Sequence, residues 1–211
     1  GRLSFAVMVS MFGFDNSAVY LARPYNIGCM ETGNFGKLAQ EYNQGRKGVP
    51  QDVIDYIWSF FSVSNPKILD VGCGSGFPIA SYLIEQGFDV TGIDGSQKLL
   101  DIAKEKCSKM KGILGDVRLV TLNEKFDAVI EWWCLFHLPK SDHEHMIARF
   151  AEWLKPGGIL EFTSGDSEYE HTSSDMLNQA LHFYSLAPNA YEKYLKKYGF
   201  EILLKESDQD Q

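Results

Sequence analysis

Three alternating glycines, Gly72, Gly74 and Gly76, follow a short apolar run at 67–71, with Asp70 inside the end of that run. Glycines so placed let the chain reverse tightly and let a ligand come close to the backbone. A helix starting soon after Gly76 would offer N–H groups that its own turns do not satisfy. A dinucleotide-binding turn needs its third glycine at 77, where this chain carries Phe77. A buried carboxylate at Asp70 would also repel a pyrophosphate. The pattern suits a ligand with a cationic ammonium group and no phosphates.

Two further carboxylates fall at the ends of the next expected strands. Asp94 closes the run 89–94, where an acidic side chain can accept hydrogen bonds from both hydroxyls of a ribose. Asp116 follows Gly115 at the end of a third run and could accept from an amino group, while the N–H of Val117 reaches a ring nitrogen. Either aspartate could equally be a plain turn residue at a strand end.

The intervening segments show what must position these side chains. Short helices are expected at 38–42 and at 50–61, the second with Pro50 near its first turn and apolar residues at 53, 54, 57, 58 and 61. The run 67–71 reads as a buried strand, followed by a helix over 79–86 that Gly87 closes. A strand at 89–94 precedes a helix over 96–110 capped by Ser96. Strands at 112–117 and 126–131 lead to a helix over 141–154, with Ser141 and Glu144 as a capping box. A Pro-Gly-Gly turn at 156–158, a strand at 159–163, a helical stretch over 174–198 broken near Pro188 and a strand at 201–205 complete the series. Strands alternating with helices imply βαβ units. The fold class is therefore α/β, a doubly wound three-layer sandwich around a mostly parallel sheet, with ligands bound at the carboxyl ends of the strands.

Taken in order, these motifs resemble the class I S-adenosylmethionine-dependent methyltransferases of the small-molecule type. The stretch 70–76 is similar to their glycine-rich motif, 92–96 to the ribose-binding motif and 115–116 to the adenine-contacting motif. The run 126–130 followed by Phe136, His137 and Leu138 resembles their fourth strand and active-site loop, and 154–158 the turn before strand five. The resemblance implies a Rossmann-like methyltransferase fold, with S-adenosyl-L-methionine as cofactor and S-adenosyl-L-homocysteine as product. It also implies that Asp70, Gly72, Cys73, Gly74 and Gly76 hold the methionine end. Asp94, Gly95 and Ser96 would face the ribose, Leu99 would pack on the adenine, and Asp116 with Val117 would read its edge. Glu131 and Trp132 would line the sulfonium side. Leu99, Trp132 and Trp133 could instead be packing residues.

Methyl transfer from a sulfonium mainly requires alignment of the nucleophile and exclusion of water, so no fixed triad is expected. His137 is the candidate base because it follows the fourth strand, and packing against the next helix is its alternative role. Tyr42 and Arg46 are candidate substrate contacts on a segment that closes over the site in similar enzymes. No Asp/Asn/Ser-Pro-Pro-Tyr/Phe motif follows strand four, where the chain reads Glu131-Trp-Trp-Cys-Leu-Phe-His-Leu-Pro139, and no Pro-Cys dipeptide is present. The 211 residues carry 28 acidic and 20 basic side chains, a net charge of −8, which disfavours a phosphate-backbone partner. A small-molecule acceptor is therefore expected, with no nucleic acid, no membrane and no metal, in a cytoplasmic protein whose four cysteines stay reduced. A silent cofactor-binding module, a protein methyltransferase and a nicotinamide enzyme are the alternatives, and Phe77 argues against the last.

The two ends depart from the family pattern. Residues 1–29 include an apolar stretch at 5–14, too short to span a bilayer, and read as an appendage packing outside a domain at 30–211. At the other end, the final antiparallel strand of the family sheet is missing after 201–205, which would leave that strand exposed or displaced.

Overall fold

The computed structural model describes residues 4–11, 59, 64–165, 167–176 and 179–207. The helices expected at 38–42 and 50–61 lie outside these residues, apart from Ser59. The described elements are β1 (Ser4–Met11), β2 (Lys67–Val71), α1 (Ile79–Glu85), β3 (Asp89–Asp94), α2 (Gln97–Lys106), β4 (Lys111–Leu114) and β5 (Phe126–Glu131). They continue with a 3-10 turn at Leu135–His137, α3 (Lys140–Trp153), β6 (Leu154–Gly165), β7 (Tyr169–Met176), β8 (Gln179–Ser185), α4 (Pro188–Lys197) and β9 (Phe200–Ser207).

One seven-stranded sheet runs in the order β4-β3-β2-β5-β6-β1-β9. The five strands from β4 to β6 are mutually parallel. Their order reverses between β2 and β5, so the loops after those two strands flank the crevice where such sheets bind ligands. Both faces are covered. Leu69, Val71, Val129, Leu160 and Phe162 pack with Phe150 of α3 and Tyr191 of α4. Ile68, Val90, Ala128 and Ile130 point the other way, onto Ile79, Ala80 and Leu83 of α1. Strands buried on both sides explain the near-continuous apolar runs in the sequence.

The first strand corrects one expectation. Residues 4–11 do not pack outside the fold. They form β1, antiparallel to β6 from Ser4↔Gly165 to Ser10↔Ile159 and antiparallel to β9 from Phe5↔Ser207 to Met11↔Phe200. Without it β6 would present an open row of backbone donors and acceptors, and an apolar, strand-prone run satisfies them. β1 thus stands where the family's last strand was expected and missing, and β9 is neither displaced nor left unpaired.

Three other boundaries move. The stretch 174–185 is not the start of a helix but part of a hairpin, β7 pairing antiparallel with β8 from Tyr169↔Ser185 onward. Phe183 and Ser185 are buried while His182 is exposed, which is the two-residue period of a strand. Helix α4 then starts at Pro188, a residue favoured in a first helical turn. Helix α3 starts at Lys140 with no side-chain cap, because Pro139 already holds the extended conformation (φ −53°, ψ 146°) that precedes a helix. Ser141 falls inside the first turn and contacts Asp142 instead of capping. The third parallel strand, β4, ends at Leu114, shorter than the expected 112–117.

Candidate active site at the carboxyl ends of beta2 and beta5

The glycine turn leaves β2 with φ of 73° at Gly72, 56° at Gly74 and 74° at Gly76. These are left-handed values that L side chains resist, which is why glycine alternates here. The turn is tied down across the sheet. The N–H groups of Gly72 and Cys73 both donate to the Ile93 carbonyl at 2.8 and 3.0 Å. Gly74 N–H donates to Asp94 Oδ2 at 2.9 Å, and Ser96 N–H donates to Asp94 Oδ1 at 2.8 Å. The Asp94 carboxylate therefore joins the glycine turn to the start of α2. Ser96 caps that helix by accepting from Leu99 N–H at 3.4 Å. Beneath the turn, Gly92 leaves room for Cys73, whose sulfur would lie 2.6 Å from a Cβ at that position.

Asp116 is differently placed from the simple expectation. Both its oxygens accept from the Arg118 guanidinium, with a shortest contact of 2.6 Å, and Oδ1 also accepts from the Arg118 N–H at 2.9 Å. Arg118 reaches on to Asp142 at 3.0 Å, so Asp116 pins its loop to α3. Arg118 holds the Asp116 carboxyl below its usual range. Val117 and Leu99 are both 2% exposed, and Leu99 packs as a core residue of α2.

After β5, Glu131 is buried and accepts three backbone N–H groups. Cys134 and Leu135 donate to Oε1 at 2.5 and 2.6 Å, and Thr163 donates to Oε2 at 3.1 Å. It holds the post-β5 loop against β6. Burial pushes its carboxyl up to about 8, against the opposing pull of those three donors. Trp132 is half-buried between the α1 core and an aromatic cluster of Trp133, Phe136 and Phe183. His137 lies in that cluster. Its Nδ1 donates to the His182 carbonyl of β8 at 2.9 Å, and burial lowers its pKa to about 4. Imidazole is therefore neutral near pH 7.

The structure brings Asp70, Gly72, Cys73, Gly74, Gly76, Asp94, Gly95 and Ser96 to one edge of the crevice, and Glu131, Trp132 and His137 to the other. Tyr42 and Arg46 lie outside the described residues. Sequence reasoning missed Glu161, a buried carboxyl in register with Ile130, itself in register with Asp70, on one face of the sheet. Burial and the nearby Glu131 and Asp70 raise its pKa. An acidic residue inside the apolar run 159–162 was its available signal.

The donor set fits a phosphate-free cation. Asp70 and Asp94 are buried carboxylates at the turn (3% and 5% exposed), where a pyrophosphate would meet negative charge. A family described as a methyltransferase domain matches residues 68–158. Over those residues the chain is similar to a methyltransferase domain. The match spans the glycine turn, the Asp94 end of β3 and the loop after β5. Among curated relatives, the ubiquinone biosynthesis O-methyltransferase of Coxiella burnetii is 32% identical over 150 residues, 66% of this chain and 63% of that protein. The protein of that name in Hydrogenovibrio crunogenus is 32% identical over 152 residues, covering 66% and 62%. The chain thus spans less than two thirds of the length of these relatives. Solved methyltransferases share the fold. A S-adenosylmethionine-dependent methyltransferase from Clostridium acetobutylicum superposes with a TM-score of 0.61 at 17% identity, covering 79% of this chain and 87% of that one. An amino pentose methyltransferase from Micromonospora echinaspora, involved in calicheamicin biosynthesis, gives 0.57 at 19% identity, covering 84% and 91%.

Proposed function

We propose that the chain binds S-adenosylmethionine over the glycine turn and transfers its methyl group to a small-molecule acceptor. The reading rests on the Asp94 carboxylate, which fixes the turn through Gly74 and the α2 start through Ser96. That carboxylate closes β3, the position suited to ribose hydroxyls. When bound, the cofactor supplies an activated methyl on a sulfonium. The chain's own part is to bind, orient and exclude water. Asp70 and the turn at 72–76 would take the methionine end, Leu99 and Val117 would flank the base, and Glu131 would keep the loop 132–137 at the acceptor side. Asp116 would act there by positioning its loop through Arg118. Tyr42 and Arg46 would contact the acceptor.

The shared name of the curated relatives favours oxygen as the accepting atom. With a net charge of −8, and with no helix among the described residues long and apolar enough to cross a membrane, the reading is of a cytoplasmic enzyme acting without nucleic acid or membrane. Its domain would include β1, which completes the sheet between β6 and β9. Calorimetric titration with S-adenosylhomocysteine tests the proposal. Wild type should bind, and Asp94→Ala should lose at least about tenfold in affinity, since each 1.4 kcal/mol is tenfold. Absence of binding by the wild type, with the nicotinamide dinucleotides bound instead, would overturn it.

A further inference from the structure

The loop between β4 and β5 holds a carboxylate whose acceptor sites are all taken. Asp116 Oδ1 accepts the Arg118 N–H at 2.9 Å and Arg118 Nε at 3.0 Å. Oδ2 accepts the same Nε at 3.1 Å and Nη2 at 2.6 Å. A carboxylate offers about four lone-pair sites, and these contacts fill them. The fork is held from its far side as well, where Arg118 Nη1 donates to Asp142 Oδ2 of α3 at 3.0 Å. Forked arginine–carboxylate pairs are stronger and more directional than single contacts. Turning Asp116 toward another donor would open this one and leave the guanidinium half-paired.

Helix α3 fixes the rest of the loop from one face. Asp142, His145 and Arg149 fall at i, i+3 and i+7, positions that line up along a helix. His145 Nε2 donates to the Arg118 carbonyl at 3.1 Å, and Arg149 Nε donates to the Val117 carbonyl at 3.0 Å. Arg149 Nη2 donates to the Val120 carbonyl. The Asp116 carbonyl accepts the N–H groups of Leu119 and Val120, both at 2.9 Å. The loop is therefore a fixed backbone surface. It begins beside the carboxylate proposed to take the ribose, because the Gly115 N–H donates to the Asp94 carbonyl at 3.1 Å. The Val117 N–H meets no acceptor among the described residues.

We infer that Arg118 is a positioning residue that sets the base selectivity of the cofactor site: it occupies Asp116, so a purine is read by the Val117 N–H and by apolar packing, and its amino group goes unread. The inference rests on the cofactor-binding reading above and narrows it. Adenine offers two polar features at this edge, a ring nitrogen that accepts and an amino group that donates. The Val117 N–H answers the first. The second needs an acceptor, and Asp116 has no site to spare, which departs from the role its place in the sequence suggests. A site built to bond a polar group rejects the analogue lacking it, because the site's own group is then left unpaired. Here, deleting the amino group strands nothing on the protein. The ligand class is thus the purine nucleosides carrying a 5′ thioether or sulfonium, with or without the amino substituent.

Calorimetric titration of the whole chain tests this without turnover. It compares S-adenosylhomocysteine with its purine-riboside analogue, in which hydrogen replaces the amino group. Wild type should bind the two within about threefold, as expected when the deleted group has no partner. Arg118→Met keeps the alkyl stem but removes the fork and frees Asp116. It should prefer the adenine compound by about tenfold, the discrimination that a charge-assisted hydrogen bond confers. Adding Asp116→Asn to that variant should bring the two affinities back together. A substitution that merely loosened the loop would weaken both ligands alike, so their ratio reports selectivity and not folding. A gap wider than that in wild type overturns the inference by itself, with no variant needed. Equal affinities in a folded Arg118→Met also overturn it, and both results leave the cofactor reading standing. Failure of wild type to bind either compound would sink that reading and this one with it.

Discussion

The two sides of the crevice treat their polar groups in opposite ways. On the β2–β3 side, both Asp94 oxygens accept backbone N–H groups, and the turn itself hangs on the Ile93 carbonyl. On the β5–β6 side, Glu131 is wired just as fully, but a few residues further on Trp133 Nε1 and His137 Nε2 are left unanswered. A cofactor common to a whole family can be met by a cradle built from backbone and carboxylates. The proposed acceptor would have to be met by side chains, which would stay unsatisfied until it arrived. Fixed wiring on one side and open valences on the other are what that division of labour should look like.

Removing wired groups should cost stability, whereas changing the open ones should cost function with little loss of fold. The largest stability effect is expected for Glu131→Ala, which strands three buried N–H donors, each worth about 1–3 kcal/mol. A loss of at least about 3 kcal/mol in denaturant titration is expected, and a near-neutral result would mean that the post-β5 loop does not depend on it. Asp94→Asn comes next. It keeps one acceptor oxygen and exchanges the other for an amide that cannot accept, so about 2 kcal/mol should be lost together with cofactor affinity. If stability fell while affinity held, the carboxylate would be a brace alone.

The pH dependence follows from the same contrast. Glu131 binds its proton more tightly in the folded chain, releasing it only near pH 8 against about 4.5 when unfolded, so its contribution to stability declines as pH rises through that window. His137 binds its proton more weakly when folded, near 4 against 6.5, so its contribution is lost as pH falls below 6.5 toward 4. Melting temperatures measured from pH 5 to 8 should show the upper decline flatten in Glu131→Gln and the lower decline flatten in His137→Gln. The smallest effect is expected from Arg118→Lys. Its partners Asp116 and Asp142 are about a third exposed, and pairs of that kind are worth about 1 kcal/mol or less. Lysine cannot reproduce the forked contact, so cofactor affinity should fall slightly at most.

The wired side was also the legible side. Gly72, Gly74 and Gly76 announce a left-handed turn by residue type alone, and Ser96 announces a helix start, because both effects act within a few residues. The open side depends on distant partners. The tautomer of His137 is set by a carbonyl at residue 182, and the hairpin that carries it was read as helix because its alternation is short and interrupted. Placement of β1 was hidden for the same reason, since pairing with β6 and β9 joins residues about 150 to 200 positions apart.

That pairing has a mechanical consequence. Phe5 lies opposite Ser207, so the first and last described strands meet at their outer tips. Tension applied between residues 4 and 207 would load the β1–β9 ladder at its end and part it rung by rung, at low force, where a shearing pull would have to break the rungs together. Under such a pull the crevice four strands in would feel the load last, after β9 had already peeled away.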